Sequence, residues 1–158
     1  MNKIAYILSL VSFFVFFSAC QSNSDLQTNL KNTHWVGTHF SITMPSYKGS
    51  DSTLITEANE SNWQSVLKGN PSKIHLKNNN DYSEEHFDIN NNSILKYEGT
   101  WSIEGDSLFF DIQKPHTTKH TYSAELDASK STLKLSRKSD FDRDKQIDDQ
   151  QVLTFKKQ

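Results

Sequence analysis

In this chain of 158 residues, side chains able to do chemistry crowd most tightly in "DFDRDKQIDD", positions 140 to 149. Asp140, Asp142 and Asp144 stand at positions 1, 3 and 5 of a calcium loop, with Ile147 at the apolar position 8 and Asp148 at position 9. Carboxylate oxygens at that spacing suit a hard cation. The pattern then departs: Lys145 replaces the glycine of the sharp turn, Gln151 replaces the bidentate Glu, and Arg143 and Lys145 offset two charges. A solvated acidic loop between the last two strands accounts for the same residues. Calcium at Asp140, Asp142, Asp144 and Asp148 is the weaker alternative, and no other cofactor is expected.

A second cluster, "DYSEEHFD", brings Glu84, Glu85, His86 and Asp88 close in sequence. No activated nucleophile or phosphate loop accompanies them, so they form no catalytic constellation and the chain is read as a non-enzyme. A charged, solvated edge strand explains them equally well. Histidine occurs six times, at His34, His39, His75, His86, His116 and His120. Neither the His34/His39 nor the His116/His120 spacing sets two imidazoles together on a strand, so zinc is not read here.

The elements that must carry these residues are strands. From His34 onward apolar and polar residues alternate with period two, punctuated by Asn, Asp, Gly, Ser and Pro. In "ILKYEGTWSI" Leu95, Tyr97, Gly99, Trp101 and Ile103 share one face. "EGD" (Glu104-Gly105-Asp106) turns this strand into "SLFFDI", where Leu108, Phe110 and Ile112 align. "KIHLK" and "YSEEHFDI" flank an Asn-Asp turn, and "HTYSAEL", "TLKLSRK" and "QVLTFKK" follow the same grammar. Near the start, Val36, Phe40, Ile42 and Met44 align and leave Trp35 on the other face, unless Gly37 marks a bulge.

One segment has helical spacing instead: Trp63, Val66 and Leu67 stand at i, i+3 and i+4, ended by Gly69 and Pro71, which predicts a short helix over 62–68. Eight or nine local strands with one helix predict an all-β, antiparallel up-and-down barrel, with a sandwich as the alternative. Tyr97, Trp101, Phe110 and Trp63 are the large aromatics able either to fill such a barrel or to contact a ligand in it. The helix itself reads as a plug in one barrel mouth or as a lid over a cavity; its spacing favours the plug.

Composition bounds the function. The charge is −2, and 34% of residues are hydrophobic and 11% aromatic, enough for one core and too polar for several membrane spans. No basic run marks a nucleic-acid partner. The apolar stretch Ile4 to Ala19 is 16 residues long, short of the roughly 20 that span a bilayer, and it follows Lys3 as an export signal would. It ends at Cys20, the only cysteine.

Phe17-Ser18-Ala19-Cys20 resembles the lipobox of bacterial lipoproteins. The resemblance implies removal of residues 1–19, lipid on Cys20 and residence in the cell envelope, with the outer membrane, facing periplasm or surface, as the expected place. Residues 20–32 then read as a polar, flexible tether and 33–158 as the domain. "NTHWVGTHF", "YEGTWSIEGDSLFFDI" and "YSAEL…STLKLSRK" together resemble the lipocalin-like domains of small Bacteroidetes lipoproteins. By that likeness an Arg late in the chain packs over the first-strand Trp, which here means Arg137 over Trp35. The function implied is binding of a small apolar or amphipathic ligand in the barrel. The alternative is an interaction module with a filled barrel, engaging an envelope protein through "PSYKGSDS" and the 139–150 loop.

Overall fold

The period-two alternation becomes nine antiparallel strands in a computed structural model that describes residues 23–158. The expected signal peptide and Cys20 lie outside the described residues. The order is α1 (Asn23–Leu30), β1 (Thr33–Met44), β2 (Leu54–Asn59), α2 (Trp63–Leu67), β3 (Asn70–Leu76), β4 (Asp81–Phe87), then β5 (Ser93–Glu104) and β6 (Ser107–Lys114). β7 (Thr118–Leu126), β8 (Thr132–Ser139) and β9 (Asp149–Lys157) complete it. From β3 onward each strand pairs with the next, and β9 returns to pair with β1 from Trp35 to Thr43. That last pairing closes the sheet into an up-and-down barrel and removes the sandwich.

β1 is long enough to serve three neighbours. Its first residues, Thr33 to Val36, pair with β3, and His39 to Met44 pair with β2, the one strand outside the closed ring. The register against β9 shifts between Gly37 and His39, so Gly37 opposes Phe155 while Phe40 opposes Leu153. One extra residue reverses the side-chain phase. Trp35 therefore faces the interior together with Phe40 and Ile42, as a bulge at Gly37 requires.

The turns follow local chemistry. Gly105 takes φ +65 in the tight β5–β6 hairpin, and Asn80 takes φ 64 between β3 and β4, where an Asn side chain tolerates the left-handed region. Between β7 and β8 the Asp127 carboxylate accepts the backbone N–H groups of Ser131 and Thr132, both at 2.8 Å. The Ser129 hydroxyl, donating at 2.6 Å, and then these backbone donors hold it down to about 2.

One half of the barrel is filled. Trp35, Leu76, Trp101, Leu108, Leu133 and Phe155 are fully or almost fully buried there. The Trp101 indole donates to the Lys77 carbonyl at 3.2 Å, which satisfies its polar edge at the barrel rim. α1 covers this end with Leu26 and Leu30 in the core. Most of the expected tether is thus a docked helix rather than a flexible linker. Eight residues hold no stable helix alone, so tertiary burial decides: each leucine contributes about 1.5–3 kcal/mol by leaving water. Thr33 links the pieces, its hydroxyl donating to the Leu30 carbonyl and accepting the Trp35 indole N–H at 2.7 Å.

Arg137 does not reach Trp35. It opposes Gln151, which opposes Ile42, well along β1 from Trp35. The cation above the Trp35 ring is Lys157 of β9, 5.9 Å from its centroid, while Arg137 lies over Tyr122 and Phe141. The expected contact fails because the two residues occupy opposite halves of the barrel.

Candidate functional site

The other half of the barrel is hollow. A cavity of 410 Å³ opens there between the inward faces of the strands and α2. Its size falls within the usual range of small-molecule sites, roughly 300–1,000 Å³. Alternation dictates its walls: β4 sends Glu84 and His86 inward, β5 Tyr97, β7 His120 and Tyr122, and β8 Arg137. Opposite these, Phe40 and Leu153 with Trp63 and Leu67 of α2 supply an apolar wall.

α2 is placed by its own ends. Lys68 takes the left-handed conformation (φ 57) as C-cap, and its N–H returns to the Gln64 carbonyl at 3.0 Å. The helix turns Trp63 down over Gly37, where a Cβ would stand 2.9 Å from the ring. Trp63 is buried at 8% exposure, yet it borders empty space rather than packed side chains. The helix over 62–68 is thus present, and it closes a cavity where its spacing favoured a core plug.

The polar wall is a connected set. The Tyr82 hydroxyl donates to Glu84 Oε2, and burial, with the Glu84 charge beside it, pushes the phenol far above its ordinary range. His86 Nε2 lies 3.1 Å from Glu84 Oε1 without forming a hydrogen bond. The Arg137 Nε donates to Gln151 Oε1 at 2.7 Å, and its guanidinium lies 5.0 Å from the Tyr122 ring centre. Burial pushes Tyr122 up to about 12, opposed in part by Arg137. Burial first, and Arg137 second, lower His120 below its ordinary 6.5, which favours the neutral imidazole.

Of the four aromatics expected to meet a ligand, Tyr97 and Trp63 line the cavity. Trp101 and Phe110 do not: they belong to the packed half, where Phe110 stacks on Tyr82 with centroids 4.3 Å apart. Glu84 and His86 also change place. β4 is paired on both sides, with β3 and β5, so these residues sit on an inward face and not on an edge. Tyr82, Glu84 and His86 share one parity, and that was the available signal. His120, Tyr122, Arg137 and Gln151 carried no local motif.

The acidic loop is held by its own backbone. Asp140 accepts the N–H groups of Asp144 at 3.1 Å and Lys145 at 3.0 Å; Asp149, 1% exposed, accepts those of Phe141 at 2.6 Å and Asp142 at 3.2 Å. The carboxylates that converge within 4.8 Å are Asp140, Asp142 and Asp149. Asp144 and Asp148 turn to Ser46 Oγ instead, at 3.3 and 2.8 Å, and Asp142 accepts the Lys48 N–H. Of the four expected ligands, Asp140 and Asp142 converge, with Asp149 as the third carboxylate, while Asp144 and Asp148 face Ser46. Lys145 does meet the turn requirement, with φ 76.

Among the described residues no helix is long and apolar enough to cross a membrane. The chain matches no protein-family model and no curated protein sequence at a significant level.

Proposed function

We propose that this is a lipid-anchored cell-envelope protein of the lipocalin-like kind whose barrel holds one small amphipathic molecule. The observation that carries the reading is the 410 Å³ cavity with one apolar and one polar wall, closed by Trp63. A barrel stabilised only as a scaffold gains from filling its interior, whereas here half-buried polar side chains converge on open space. The lipobox-like Phe17-Ser18-Ala19-Cys20 supports the anchor. Cys20 stands three residues before α1, a reach of at most about 11 Å. An anchor there places the α1-covered end against the membrane and the cavity mouth away from it.

The test is mass spectrometry of the native protein extracted from its own membranes. A stoichiometric amphiphile should accompany the parent and be missing from Leu153→Trp, which fills the cavity. An amphiphile equally abundant in both would belong elsewhere.

A second reading has one observation in its favour. The 45–52 segment and the 139–150 loop are tied into a single surface by Ser46 and Lys48, and Ile147 stands 73% exposed on it. An envelope protein that docks there would leave the cavity unused; Ile147→Asp abolishing its capture, with the amphiphile unaffected, separates the readings.

A further inference from the structure

We infer that the cavity selects an organic anion, a monocarboxylate carried on a short apolar body, and that Arg137 holds its head group. This rests on the cavity being a ligand site and adds the chemistry of the ligand. The argument is a count of donors and acceptors around the empty space. Arg137 has five N–H donors, and among the described residues only its Nε finds an acceptor, Gln151 Oε1. The Tyr97 and Tyr122 hydroxyls make no hydrogen bond among the described residues, and His86 Nε2 is buried without one. The one carboxylate of the lining, Glu84, is already engaged by the Tyr82 hydroxyl and in contact with His86.

Charge agrees with the donor count. Lys68 and Arg137 are the permanent cations of the lining and Glu84 its one anion. An ammonium or an uncharged head would leave the guanidinium desolvated without a counter-charge, which is the costly arrangement. A carboxylate accepts the planar fork of Arg137 in two parallel bonds. The apolar wall of Phe40, Trp63, Leu67 and Leu153 receives the body. At roughly 30 Å³ per water-sized group, the space admits about a dozen heavy atoms.

The test is calorimetric titration of the full chain in nanodiscs, blanked against empty nanodiscs. Three probes share one body: 4-phenylbutyrate, 4-phenylbutan-1-ol and 4-phenylbutylamine. The acid should bind at least tenfold tighter than the alcohol, and the amine weakest. Arg137→Gln should abolish the preference for the acid over the alcohol, while Arg137→Lys keeps part of it. Acid and alcohol binding the parent equally would overturn the anion inference and leave the cavity reading standing. A preference that survives Arg137→Gln would overturn the role of Arg137. If none of the three binds the parent, the cavity reading itself fails. The parent series needs no variant to fold.

Discussion

The Trp63 ring occupies the space a side chain at Gly37 would take: a Cβ there would stand 2.9 Å from Trp63 Cη2. The bulge that turns Phe40 inward and the helix that closes the cavity therefore meet at one glycine.

Gly37→Ala should lift Trp63 without unfolding the barrel. The atom in the way is the far end of a side chain, so the cost is that of modest overpacking, about 1–3 kcal/mol. Trp35 and Trp101 are 0% and 1% exposed, so acrylamide quenching reports Trp63. Quenching should rise in the variant; unchanged quenching at full stability would mean that the ring is not held there.

Gly99 has a harder neighbour. A Cβ on it collides with the Asp111 carbonyl across the β5–β6 register shift, and backbone cannot swing aside. Gly99→Ala should cost more than Gly37→Ala by urea unfolding, on the order of 3 kcal/mol. Equal costs would contradict the packing described.

Leu30→Ala should destabilise the protein by about 2–5 kcal/mol, because Leu30 is 0% exposed in the core that α1 completes. A residue in a free tether would change nothing measurable. The midpoint of urea unfolding decides between them.

His120 makes stability depend on pH. Its folded value lies below the unfolded 6.5, through burial and then Arg137, so between the two the unfolded chain binds a proton that the folded chain refuses. The stabilising contribution is complete above the unfolded value and is lost as pH falls through the folded one. His75 shifts in the same direction, through burial and then its stacked neighbour His34, 3.8 Å between centroids. Urea unfolding between about pH 5 and 7 should show stability rising with pH, less steeply in His120→Gln. An NMR titration should place the His120 midpoint below 6.5, and Arg137→Gln should raise it.

The barrel was legible because alternation is a local signal. Tyr97, Trp101, Leu108 and Ile112 announced their faces, and Gly105 and Asn80 their turns, whereas Leu95 is exposed and Ile94 borders the cavity beside the β4–β5 register shift. α1 was hidden because two leucines at i and i+4 in a polar stretch are too few to distinguish a helix from a linker; only the barrel end that receives them makes the helix. The polar wall was half legible. Parity alone aligns Tyr82, Glu84 and His86, but whether that face looks in or out depends on β4 having a neighbour on each side. His120, Arg137 and Gln151 lie on the successive strands β7, β8 and β9 with no shared local motif, and they meet only through the registers between those strands. The registers of β8 on β9 and of β9 on β1 set Arg137 well along the barrel from Trp35, and in the acidic loop Asp140 and Asp142 converge with Asp149 while Asp144 and Asp148 turn to Ser46.

The most direct test of the cavity as a binding site is Trp63 fluorescence of the full chain in nanodiscs during titration with 4-phenylbutan-1-ol. That probe assumes nothing about the preferred head group. A saturable change, one molecule per chain, absent from Leu153→Trp, is the predicted result. A response that is linear without saturation, or equal in the parent and the filled variant, would contradict it.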